Sequence, residues 1–161
     1  MTQVFSTLGI DLTTNSDSQD RTLGEVFYAS DGQIYIYAKA GSAITQYRWV
    51  GIDEDFNAYP LTNAMAQDGW QIGVAPVAFT TAAPYGWFCI KGANVTAAVG
   101  ASCNADVSLY TSATAGVLDD TAGAGTSLTK IEGVVLVTAN PSASIRNKEV
   151  LITSFPRATT F

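Results

Sequence analysis

The sequence reads as an all-β protein, a small barrel or sandwich with one short helix and an extended N-terminal arm. Three observations carry that reading. Short apolar runs of strand length follow one another at residues 71–75, 85–90, 106–110 and 131–137. Gly, Ala, Thr, Ser and Asn fill the gaps between them, and Val, Ile, Tyr, Phe and Trp fill the runs themselves. Only one stretch has a helix start followed at once by a helix stop. Frequent turns between short strands build a sandwich or barrel rather than an α/β cleft.

Residues 1–23 stand apart from the domain that follows over 24–161. The run Thr13-Thr14-Asn15-Ser16-Asp17-Ser18-Gln19-Asp20 is too polar to pack by itself. Ahead of it Val4, Phe5, Leu8 and Ile10 are spaced apolar anchors. Such a segment either frays, as chain ends do, or orders on a partner surface. The four anchors are the candidate contacts in the second case. Burying them at ~1.5–3 kcal/mol each does not offset the ordering of about ten backbone residues, at ~1–2 kcal/mol each. Backbone pairing with a strand edge of the partner would have to make up the difference. On this reading a chain beginning at Gly24 folds normally and attaches more weakly.

The first strand pair is expected at residues 25–29 and 33–39, joined through Ser30-Asp31-Gly32, because Asp-Gly between alternating runs is a strong hairpin signal. Ile34, Ile36 and Ala38 share one face of the second strand, and Tyr35, Tyr37 and Lys39 the other. Residues 47–52 make a third strand. Thr62 is an N-cap for a helical turn over residues 63–67, stopped by Gly69. Beyond Trp70 the pattern is strand and turn, with a Gly-rich loop at 122–126, a last strand at 149–153 and a short tail from Phe155.

Composition narrows the function. At 161 residues one domain is expected. Charged residues are 14% of the chain, below the usual ~25%, which suits an extracellular-type β domain or a surface covered in an assembly. A net charge of −6 with scattered Lys and Arg gives no basic stripe for nucleic acid. No run reaches the ~20 apolar residues of a membrane-spanning helix, and Met1-Thr2-Gln3-Val4-Phe5 does not open a signal peptide. Synthesis and folding in a cytoplasm are therefore expected, with no membrane and no nucleic-acid partner. Cys89 and Cys103 flank consecutive strand signals. They are read as two buried thiols, with a bridge across a β pair as the other arrangement.

The chain has no histidine, which removes Ser-His, Cys-His and His-metal chemistry. Cys89 sits in an apolar run that raises its pKa. Asp53-Glu54-Asp55 and Asp119-Asp120 fall in turns, where carboxylates are usually solvated. Asp53-x-Asp55-x-Asn57 begins like a calcium loop, but Ala58 replaces the turn glycine and Ala64 the bidentate glutamate. Gly123-Ala124-Gly125 lacks the Lys of a phosphate loop. No catalytic residue, metal ligand or cofactor site is expected, and the chain is read as not an enzyme. Trp49, Trp70 and Trp87, with Tyr28, Tyr35, Tyr37, Tyr47, Tyr59 and Tyr85, are either core and cross-strand aromatics or a sugar-stacking platform.

The phrases Asp31-Gly32-Gln33-Ile34-Tyr35-Ile36-Tyr37-Ala38-Lys39-Ala40-Gly41 and Tyr59-Pro60-Leu61-Thr62 carry a family resemblance. So do Ile72-Gly73-Val74-Ala75-Pro76-Val77-Ala78-Phe79, Tyr85-Gly86-Trp87, Ala101-Ser102-Cys103-Asn104-Ala105-Asp106-Val107-Ser108-Leu109-Tyr110-Thr111 and Ala115-Gly116-Val117-Leu118-Asp119-Asp120. Over residues 24–136 the chain resembles the capsid decoration, or cement, proteins encoded beside the major capsid protein of tailed bacteriophages. The resemblance implies a non-enzymatic virion component on the capsid exterior, a homotrimer partnered by the major capsid protein, that bridges shell subunits and hardens the mature head. The alternative is a receptor- or glycan-binding head-fibre or tail accessory module.

Overall fold

A computed structural model describes residues 10–121 and 128–159, with side chains as far as Thr153. Strands occupy 48% of the chain and helix 4%, and five strands close into a barrel. The all-β expectation holds. In chain order the elements are β1 (Val26–Tyr28), β2 (Ile34–Ala40), β3 (Trp49–Ile52), β4 (Asn57–Pro60) and α1 (Asn63–Gln67). They continue with β5 (Gln71–Val74), β6 (Tyr85–Val99), β7 (Val107–Thr111), β8 (Leu118–Asp119), β9 (Lys130–Leu136) and β10 (Arg146–Thr159).

Local chemistry explains the elements that the sequence announced. Asp31 accepts the Gln33 amide at 3.0 Å, and Gly32 adopts φ 83°, so β1 and β2 form the expected hairpin. The Thr62 hydroxyl accepts the Met65 amide at 3.3 Å and starts α1 where an N-cap was expected. Two elements are longer than expected. The strand beginning at Tyr85 runs on to Val99, and the supposed tail after Phe155 continues β10 to Thr159, beside Lys130 to Glu132 of β9. The Gly-rich loop expected at 122–126 lies outside the described residues.

The pairing closes twice around β6. In the first ring β2 pairs β4, β4 pairs β3, β3 pairs β5, β5 pairs β6, and β6 returns to β2. In the second, β6 pairs β10, then β9, β7 and β8 follow, and β8 returns to β6 through Val99 and Leu118. Closure removes strand edges that would otherwise pair with other chains. Gly92, at φ 153° and pressed against Gln33, lets β6 pass from one ring to the other; a β-carbon there would strike the Gln33 side chain. The ladders beside it shift register between Ile34 and Tyr35 and between Val150 and Ile152.

Two apolar clusters follow from this geometry. Ile34, Ile36, Ala38, Val50, Ile52, Phe88 and Ile90 fill the first ring, with Phe79 stacked on Phe88 at 4.5 Å. The opposite face of β2 and β6, with Tyr35, Tyr37, Trp87 and Cys89, belongs to a larger cluster that includes Val99, Leu109, Leu118, Ile131, Leu136 and Ile152. Trp49 ties the rings together: its indole donates to the Ala98 carbonyl at 3.0 Å.

The N-terminal segment corrects one expectation. From Ile10 onward it lies on the domain instead of projecting from it. Ile10 and Leu12 are buried in the larger cluster, and Ser16 exchanges backbone hydrogen bonds with Tyr85 at 2.8 and 3.1 Å. Asn15 donates to the Ala78 carbonyl at 2.7 Å. The outward faces of β2 and β6 are aromatic and need a cover, which residues 10–23 provide. A chain cut at Gly24 would lose that cover.

Candidate functional site

Val4, Phe5 and Leu8, three of the four expected contacts, lie outside the described residues. The fourth, Ile10, is only 7% exposed and packs in its own chain's core, so it is not available to a partner. The exposed apolar surface that the structure does present is elsewhere. Val26 is 43% and Tyr28 72% exposed, neighbours on one face of β1.

β1 is also the outermost strand of the sheet order and, among the described residues, pairs with β2 alone. Ala29 donates to the Gln33 carbonyl at 2.9 Å and Tyr37 to the Glu25 carbonyl at 2.9 Å. Residues 25 and 29 thus turn their backbone groups inward, and by the alternation of an antiparallel ladder Val26 and Tyr28 turn theirs outward. Phe27, on the opposite face, packs against Trp87 with ring centroids 5.9 Å apart. The free edge is therefore held rigidly from behind. Sequence periodicity located β1 but gave no sign that its outer edge stays open, because openness depends on which strands close the ring.

Burial pushes the Cys89 thiol up to about 12, and burial likewise carries Cys103 to about 11, so neither is a thiolate at neutral pH. The thiols are free and do not face each other: Cys89 lies across from Val74 and Tyr35, Cys103 from Asn140. The long course of β6 separates them. Burial also raises the Tyr35 hydroxyl, which donates to Gln33 Oε1 at 2.6 Å.

Both carboxylate groups singled out in the sequence build turns. Asp53 Oδ1 accepts the amides of Asp55 and Asn57 at 3.0 and 2.7 Å. Asp119 and Asp120 come together with Cys103, their ligand-type atoms within 4.8 Å of one another. Sequence spacing did not bring Cys103 to this pair. Here Asp120 Oδ2 accepts the Asn104 amide at 2.8 Å, Asp119 Oδ1 the Thr121 amide at 3.0 Å, and the Cys103 thiol donates to the Gly100 carbonyl at 3.4 Å. These contacts fasten one loop to another.

The aromatics divide in the same way. Trp49, Trp87, Tyr35 and Tyr37 are buried, Tyr59 and Trp70 pair at 6.1 Å, and Tyr28 is the ring most open to solvent among the exposed large hydrophobics. No protein-family model, curated protein or solved structure matches this chain.

Proposed function

We propose that this chain is a structural virion protein that decorates the outside of a tailed-phage head and stabilises the mature capsid by bridging major capsid subunits. The observation that carries the reading is the β1 edge, unpaired on its outer side among the described residues, with Val26 and Tyr28 exposed on a domain whose other strands close on themselves. An edge of that kind gains main-chain hydrogen bonds and apolar contact when a partner strand is added. The family resemblance over residues 24–136 supplies the identity of the partner, the low charge fits a surface covered in an assembly, and a homotrimer on the shell is part of the same proposal. The function needs no cofactor and is not enzymatic.

The physical logic is linkage. A protein that binds the mature lattice and not its precursor stabilises the mature lattice by mass action. Burial of Trp49, Trp87, Tyr35 and Tyr37 removes those rings from any stacking platform, which favours decoration over the receptor- or glycan-binding alternative. Quantitative mass spectrometry of purified particles tests the proposal: the chain is expected at hundreds of copies per virion. A handful of copies, a tail location by immunogold labelling, or presence only in the lysate would overturn it.

A further inference from the structure

Where β6 crosses from the first ring to the second, a groove of about 680 Å³ opens between the tip of the β1–β2 hairpin and β10. That volume lies in the range of built ligand sites, ~300–1,000 Å³. Leu12, Val74 and Val95 give it an apolar floor, and Asp31 and Glu149 give it two carboxylates at the rim, while no Lys or Arg is among its lining residues. Asp31 Oδ1 accepts the Gln33 amide at 3.0 Å and Glu149 Oε2 the Thr138 hydroxyl at 3.3 Å. The second oxygen of each has no donor among the described residues.

The backbone around the groove is held in costly conformations. Tyr47 and Asn94, both lining it, sit at φ 66° and 55°. Left-handed residues other than glycine are uncommon and concentrate at binding sites. The Tyr47 carbonyl is fixed by the Ala98 amide at 2.8 Å, so the wall is preformed.

We infer that the groove takes a short basic segment of a protein partner, in which an aliphatic residue lies on the floor and a neighbouring Lys or Arg reaches Asp31 and Glu149. Charge complementarity selects this occupant: the chain carries −6 overall, and the groove offers two carboxylates with no Lys or Arg among its described lining residues. Naming the partner as a shell protein rests on the proposed function; the chemistry of the groove does not.

Amide NMR of the full chain tests the inference, titrated with acetylated, amidated Leu-Arg-Leu-Arg, with Leu-Glu-Leu-Glu, and with maltohexaose. The basic peptide is expected to give saturable shifts centred on Gln33, Asn94, Val95 and Glu149, weakened roughly tenfold in the D31N/E149Q variant, which removes both carboxylate charges. Both substitutions are isosteric and at exposed positions, and an unchanged near-UV spectrum confirms the fold. Equal binding of the acidic peptide or the glycan, unchanged affinity in the variant, or no binding of any probe would overturn the inference. Binding of both proteins to undecorated heads separates the two readings. If they bind heads equally, the shell is not the groove's partner, decoration stands and the peptide titration decides the groove; if wild type does not bind heads, decoration fails and the peptide titration still decides the groove.

Discussion

The two rings that share β6 have different interiors. The first has its longest seam between β2 and β6, from Ile34 to Lys39, narrows to the single pair Val74 with Cys89 between β5 and β6, and encloses an apolar cluster of its own. The second is closed by one residue pair, Val99 with Leu118, through a strand of two residues, and its apolar side chains belong to the cluster that also coats the first ring. A core of its own fills the first ring, whereas the second shares its packing with the outer face of the first. The first ring is therefore expected to be the last part to open, and the second to open with its edge strands first.

Phe88→Ala strikes the first ring at its centre, where the side chain is buried against Phe79. It is expected to cost about 3–5 kcal/mol, read as a lower urea midpoint and a loss of amide protection throughout both rings. Leu118→Ala removes the buried side chain at the second ring's closing pair, at about 2–5 kcal/mol. Here hydrogen exchange should quicken in β7 and β8 before it does in β2 and β3. Equal protection loss in both rings for Leu118→Ala would erase the distinction.

The two thiols, in different surroundings along β6 and beyond it, give a pH test. Folding raises them to about 12 and about 11 from the usual 9.0. Above pH 9 the unfolded chain releases thiol protons that the folded chain keeps, so stability is full below pH 9 and falls as pH rises toward 11 to 12. The slope is at most about 1.4 kcal/mol per pH unit for each thiol. Urea midpoints at pH 8 and 10.5 measure it, and Cys89→Ala should flatten the dependence more than Cys103→Ala between pH 11 and 12. The smallest effect is expected at α1, outside both rings: Thr62→Ala removes the N-cap at about 0.5–2 kcal/mol, lowering the melting temperature without changing the order in which the rings open.

The same contrast sorts what the sequence made legible. The Asp31-Gly32 turn, the Thr62 cap and the alternation of Ile34, Ile36 and Ala38 are local signals, and each sits where it was expected. Lys91-Gly92-Ala93-Asn94 looked like the end of a strand because Gly and Asn usually mark turns. In the fold Gly92 instead carries a continuous strand past Gln33. Pro156 similarly suggested a tail, yet it falls in the stretch of β10 where the register against β9 shifts, a place where proline is tolerated. β4 was hidden by its length and by Pro60.

The surfaces were less legible than the strands. Ile10 has the composition of an anchor, and nothing local distinguishes an anchor for another protein from one for its own barrel. The open edge at Val26 and Tyr28 exists because β4, distant in sequence, takes the rest of that side of β2 at Lys39 and Ala40. The groove draws on the hairpin tip, β5, the middle of β6 and β10, so only tertiary structure assembles it.

Binding to undecorated phage heads tests the central proposal most directly. Purified chain, titrated onto expanded heads that lack it, is expected to bind saturably at hundreds of copies per head, in threefold clusters by electron cryomicroscopy, and to raise the temperature at which the heads rupture. A variant with Val26→Asp and Tyr28→Asp, folded by circular dichroism, should bind far more weakly. Heads that take up no chain at saturating concentration, or that take it up without any gain in rupture temperature, would contradict the account.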